Sequence, residues 1–249
     1  MIERTLFSAE HTTFRDSFER FMQTEIAPYH SAWEAQGFVD KAVWQKAGEL
    51  GFLNMSMPSA YGGADADKLY AVAQIECLSA GGYTGIGFGL HSEIVSPYLL
   101  HYGTQAQKET YLPRLSSGAM VGAIAMTEPS AGSDLQGIQT TALLGDDGHY
   151  RLRGSKTYIT NGWHADLVIV VAKTQPQAGA KGTSLFLLEA GTPGFTKGKP
   201  LHKLGLKAQD TCELFFDDVR LSPAQLLGGE AYLNKGFVCL MEQLPWERL

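Results

Sequence analysis

From Ser8 the chain runs in a helical rhythm, with Phe14, Phe18, Phe21 and Met22 three and four residues apart and Arg15, Asp16, Glu19 and Arg20 between them. That spacing places the apolar side chains on one stripe of an amphipathic helix. Ser8 suits its N-cap, and Pro28 stands at its end or just beyond. Val43, Trp44, Ala47 and Leu50 predict a second short helix stopping at Gly51. Leu69, Val72, Ile75 and Leu78 predict a third, and 104–112 a fourth closed by Pro113 and Gly118. The five glycines within 81–89 oppose a helix, since each costs about 1 kcal/mol against alanine. Small residues there serve either close packing or room for a ligand.

After about residue 119 the texture changes. Tyr150-Arg151-Leu152-Arg153 and the runs 167–171, 184–188 and 213–216 read as strands. Turn signals separate them at Gly145-Asp146-Asp147-Gly148, Asn161-Gly162, 179–182 and Thr192-Pro193-Gly194. Short strands so spaced predict a small antiparallel β-barrel or sandwich rather than βαβ units. The segment 234–249 reads as the opening of another helix. The expected fold class is therefore α+β: a helical domain at 1–118, a β-domain at 119–229 and the start of a C-terminal helical domain at 230–249.

Composition narrows the classes. Of 249 residues 44% are hydrophobic and 18% charged, enough apolar side chains for a sizeable core and against disorder. Twenty Lys plus Arg against 26 Asp plus Glu leave a net charge of -6, which weighs against nucleic-acid binding. The longest apolar runs, such as 167–172, fall far below the roughly 18 residues of a membrane span. The N-terminus, with Glu3, Arg4 and Glu10, carries no secretory-signal pattern. Cys77, Cys212 and Cys239 form no CxxC pair, so a reducing compartment fits better than a disulfide or zinc framework. The seven histidines show no HExxH spacing, and no metal site is expected.

The stretch most unlike an ordinary connection is Ala125-Met126-Thr127-Glu128-Pro129-Ser130-Ala131-Gly132-Ser133-Asp134-Leu135-Gln136-Gly137. Its small residues let backbone N–H groups approach an anionic or polar ligand, and Thr127 and Ser133 add hydroxyls. Read from composition alone, it is equally a polar turn between strands. The stretch resembles the signature loop of the acyl-CoA dehydrogenases, with Ser130 where many members have glycine. The likeness continues through Ser155-Lys156-Thr157-Tyr158-Ile159-Thr160-Asn161-Gly162, the run 203–216, Asn234-Lys235-Gly236-Phe237 and Leu244-Pro245-Trp246-Glu247-Arg248-Leu249. These later blocks are most similar to the long-chain branch.

The resemblance implies a helical N-terminal domain, a middle β-domain and a C-terminal helical bundle, of which this chain holds the opening, with FAD between the last two. It implies FAD contacts from Ile124, Ala125, Met126, Thr127, Gly132 and Ser133. Tyr158, Ile159 and Thr160 would lie against the flavin ring, Tyr158 standing where many members carry Trp. Ser133, Gly182 and Thr183 would meet the acyl-CoA carrier, and Arg248 would help hold the substrate. In the long-chain and isovaleryl branches the base is a Glu directly before an Arg early in the first C-terminal helix, which here is Glu247. Read alone, Glu247-Arg248 is a solvated charged pair. Likewise His91 reads as a satisfied helix histidine and Glu128 as serving the loop's own hydrogen bonds.

The implied activity is α,β-dehydrogenation of medium- or long-chain acyl-CoA to trans-2-enoyl-CoA. Such enzymes form homotetramers and pass electrons to an electron-transferring flavoprotein, in a bacterial cytoplasm or a mitochondrial matrix. The alternatives are a truncated, non-catalytic acyl-CoA-binding or partner module and a related oxidase using oxygen directly.

Overall fold

The computed structural model describes residues 5–248, so Glu3, Arg4 and Leu249 of the sequence readings lie outside it. Helix α1 (Ala9–Phe21) starts as expected. The Ser8 side chain accepts the His11 N–H, and the His11 side chain bonds back to the Ser8 backbone. One π turn (Met22–Ile26) extends it, and Phe18, Phe21, Met22 and Ile26 bury against Phe52, Trp33 and Trp44. A short helix α2 (His30–Gln36) has no apolar stripe in the sequence. In α3 (Ala42–Glu49) Val43, Trp44 and Ala47 are buried, whereas Leu50 just beyond it is 61% exposed.

Helix α4 (Lys68–Ala80) buries Ala71, Gln74, Cys77 and Leu78, so its inner face is rotated from the expected stripe and Ile75 faces out. A face made of small and polar residues is invisible to an apolar count. A π segment (Leu90–Val95) leads into α5 (Ser96–Tyr102). Helix α6 (Gln105–Ser116) is boxed by Thr104 and Gln107 and runs through Pro113 instead of closing there. Only the last turn lies beyond the proline, so the helix gives up one bond and keeps the next, Ser117 N–H to Pro113 O.

The β-half has strands β1 (Gly122–Ala125), β2 (Thr141–Leu144), β3 (Tyr150–Ile159), β4 (Leu167–Lys173), β5 (Thr183–Glu189), β6 (Phe195–Lys197) and β7 (Cys212–Leu221). They form one sheet of order β1-β4-β2-β3-β7-β6, with β5 on the other edge of β4. On one edge of β4, β1 occupies 167–170 and β2 meets it only at Lys173, so the sheet curls around β4. The pairs are antiparallel except where β1 and β2 join β4. Alternate residues of β4 face two cores. Leu167, Ile169 and Val171 pack with α5, α6 and α7 (Gly236–Glu247), and Val168, Val170 and Ala172 pack within the curl. Helical half, curled sheet and closing helix agree with the expected fold class.

Buried polar links join the halves. His91 is fully enclosed, its Nε2 bonding Leu115 O at 3.0 Å while its Nδ1 accepts the Gly122 N–H at 3.0 Å. It is the satisfied histidine the sequence suggested. Burial pulls its pKa down to about 4, against about 6.5 in an unfolded chain. Between these values the unfolded state binds a proton that the folded state refuses. Stability therefore falls as pH drops from 6.5 to 4, by about 3 kcal/mol. Urea unfolding of wild type and His91→Gln across that window should show their difference shrinking toward pH 4; a constant difference contradicts the assignment.

The glycine-rich loop is likewise a packing device. A Cβ on Gly87 would stand 1.9 Å from Asn161 Oδ1, and one on Gly85 would stand 2.4 Å from Ala208 Cβ. The first alternative, close packing, is the observed one at both positions. Gly87→Ala should cost about 1–3 kcal/mol by overpacking a buried amide. An unchanged denaturation midpoint would refute this.

Candidate active site

The signature loop leaves the sheet at Ala125 and turns at once. Glu128 and Ala131 exchange backbone hydrogen bonds of 2.9 and 3.1 Å across Pro129 and Ser130. Proline fits the second position of such a turn, and Ser130 has no positive φ, so glycine is not required there. The buried Glu128 carboxylate accepts the N–H groups of Gln139 (2.6 Å) and Thr140 (3.0 Å) and the Lys156 ammonium (2.9 Å). Lys156 also donates to Met126 O at 2.9 Å. Burial pushes the Glu128 carboxyl up, but Lys156 and these bonds outweigh it and hold it below the ordinary value. Burial lowers the Lys156 ammonium to about 8 against the pull of Glu128. Glu128 thus clamps the loop to β3. The sequence reading missed Lys156, although it shares strand parity with the inward Tyr150 and Leu152.

The same strand brings the second expected segment alongside. Thr157 N–H donates to Thr127 O at 3.0 Å and Asn161 Nδ2 to Gly122 O at 3.3 Å. Residues 158–160 therefore run beside 124–126. Here β3 slips its register on β7, and Tyr158 takes a φ of +57° with 68% of its surface exposed. A tyrosine in the left-handed region costs on the order of 1–3 kcal/mol and persists only where its neighbours fix it. The hydroxyls of Thr127, Ser133, Tyr158 and Thr160 make no hydrogen bond within the described residues. Gly132 has no positive φ, and an added Cβ there would meet nothing within 4 Å. The room it leaves serves no packing inside the chain.

Glu247 ends α7 and is half-buried, not freely solvated. Tyr98 Oη donates to its Oε1 at 2.8 Å. Burial raises its pKa, opposed by the Tyr98 bond and by Arg248, which is exposed. Beside it Trp246 lies under the Lys68 ammonium, 4.6 Å from the ring centroid, and Lys68 pairs with Glu93 at 2.8 Å. None of Tyr98, Lys68 or Glu93 carries a sequence motif. Helix α7 packs on the apolar cluster that also holds Ile124 and Ala131, with Met126 and Leu244 at its margin. Gly182 and Thr183, by contrast, are buried at the start of β5. A Cβ on Gly182 would stand 1.9 Å from Gln175 O, and the Thr183 hydroxyl has no partner. They lie near the start of α7, since Gly236 abuts Ser184, whereas Glu247 is roughly 16 Å further along its axis.

Next to Thr160 an apolar cavity of about 290 Å³ lies between α4 and the glycine loop, walled by Leu78, Ile86 and Leu90. A larger groove, about 630 Å³, runs past Phe38, Trp163 and Lys203. It includes neither the signature loop nor 158–160, so size does not make it the site.

Residues 8–119 match the acyl-CoA dehydrogenase N-terminal domain and residues 123–219 the middle domain of the same family. The mitochondrial long-chain specific acyl-CoA dehydrogenase of Rattus norvegicus is 52% identical over 249 residues, covering 99% of this chain and 57% of that protein. An acyl-CoA dehydrogenase structure from Geobacillus kaustophilus superimposes with a TM-score of 0.94 at 46% identity, covering 99% of this chain and 64% of the other. One from Bacillus anthracis, described as complexed with FAD, gives 0.89 at 33% identity, covering 99% and 41%. The chain thus spans a little over half the length of the curated relatives it matches. The signature loop is clamped to its strand, 158–160 runs beside it, and both family domains match in order: the chain belongs to the acyl-CoA dehydrogenase family.

Proposed function

We propose that this chain carries the flavin- and thioester-facing part of an FAD-dependent acyl-CoA dehydrogenase of the long-chain type. The reading rests on one observation above all: the strained, exposed Tyr158 and the free hydroxyls of Thr127 and Thr160 stand on adjoining backbone. Their fit to FAD is physical. An exposed aromatic ring offers a stacking surface, and the Cβ-free gap at Gly132 lets a ligand approach the loop backbone. Ile124, Ala125, Met126, Thr127, Gly132 and Ser133 would hold the cofactor from the loop, and Tyr158, Ile159 and Thr160 from the strand. Bound FAD supplies the acceptor for the hydride that leaves the β-carbon of the acyl thioester.

The chain's own residues do the rest. Glu247 takes the α-proton; burial raises its proton affinity toward neutrality, as a general base requires. The open, largely apolar groove beside Thr160 receives apolar chain. Ser133, which is exposed, would meet the carrier end of the substrate, and Arg248, also exposed, would help hold it. On this reading the electron acceptor is an electron-transferring flavoprotein and the assembly a homotetramer. The compartment is a mitochondrial matrix, as the rat relative's name suggests, or a bacterial cytoplasm. Among the described residues no helix is long and apolar enough to cross a membrane.

FAD added to the purified protein, followed by gel filtration, tests the reading. Co-eluting flavin with an altered visible spectrum supports it. Acyl-CoA binding without flavin uptake overturns it in favour of a non-catalytic module.

A further inference from the structure

We propose that Tyr98 is a positioning residue that fixes Glu247 and sets the pH at which it becomes a working base. The inference rests on Glu247 being the base. Tyr98 is fully buried in the apolar cluster shared by α5, β1, β4 and α7. Its ring is enclosed there, and its hydroxyl is directed at one group, Glu247 Oε1, at 2.8 Å. The path of α5 is fixed upstream by the π segment Leu90–Val95 and by Pro97 in the first helical turn. Donor and carboxylate are 149 residues apart in sequence, so only the tertiary fold makes the contact.

A donated O–H favours the charged carboxylate over the neutral acid, opposing burial. Of the other charged groups near the carboxylate, Arg248, which caps the C-terminus of α7, acts in the same direction. Lys68 from α4 is neutralised by Glu93 of the π segment at 2.8 Å and lies over Trp246. Glu242, one turn back on α7, is bonded to Tyr102 on α5, and His101 of α5 meets Gln243. Glu189 of β5 bonds Tyr111, and Lys181 in the turn before β5 is exposed. Tyr98 is thus the one of these groups that directly touches the carboxylate.

The test is Tyr98→Phe, which keeps the ring and removes the donor. An O–H bond to a charged group corresponds to about one pH unit. The acid limb of the kcat/KM profile of the FAD-loaded protein should move up by that amount, with the high-pH plateau within about threefold of wild type. Carboxyl carbon NMR of Glu-labelled protein, the Glu247 signal being assigned by its loss in Glu247→Gln, should show the same upward shift without turnover. A titration and an acid limb both unmoved overturn the proposal. If instead Glu247→Gln keeps its turnover, the base reading fails, while the NMR shift still reports whether Tyr98 holds this carboxylate.

Discussion

Replacing Glu247 by glutamine is expected to cut turnover by about 10³–10⁴-fold while FAD and acyl-CoA stay bound, the upper range of a positioned general base. The substitution is nearly isosteric, and the amide oxygen still accepts the Tyr98 O–H, so the last turn of α7 keeps its place. What is lost, on the proposed reading, is the group that takes the α-proton. Because burial raises the Glu247 pKa above the ordinary carboxylate value, the wild-type rate should fade as pH falls through that raised value and be full above it. Steady-state rates at several pH values check both points. More than a tenth of the wild-type rate in the variant, or an acid limb at an ordinary carboxylate pKa, contradicts them.

Lys156→Met should produce the largest loss of stability. It leaves the Glu128 carboxylate enclosed with only backbone donors for partners, and breaking a buried ion pair from one side costs about 3–5 kcal/mol. For a chain of this size that lowers Tm on the order of 10 °C. The loop also loses its tie at Met126 O, so FAD affinity should fall with the stability. Adding Glu128→Gln removes the stranded charge and should recover part of the loss, a non-additivity that a double-mutant cycle reads directly. Thermal unfolding of the four proteins decides it; an unchanged Tm in Lys156→Met would show that the pair does not hold the loop.

These two side chains show how far the sequence can be read. Helix α1 was legible because Phe14, Phe18 and Phe21 repeat with its period, and strands β4 and β5 because they are short continuous apolar runs buried on both faces. Helix α4 was legible in position but not in facing, because its inner surface is Ala71, Gln74 and Cys77 rather than its largest apolar residues. Pro113 misled for a geometric reason: a proline near a helix end sacrifices little. The signature loop could be located by its composition, and its family likeness gave candidate roles. What clamps it could not be read, since Lys156 meets Glu128 across 28 residues and Tyr98 meets Glu247 across 149. Such contacts have no local signature. The glycines at 85 and 87 teach the converse lesson. One local pattern allowed two uses, and only the distances to Ala208 and Asn161 distinguish them.

The most direct test is to mix the FAD-loaded protein with a saturated long-chain acyl-CoA in the absence of oxygen and follow the visible absorbance of the flavin. Bleaching accompanied by formation of the trans-2-enoyl-CoA is the expected result, for it requires the loop, 158–160 and Glu247 to act on one thioester. An unbleached flavin, with acyl-CoA demonstrably bound, would contradict the proposed dehydrogenation.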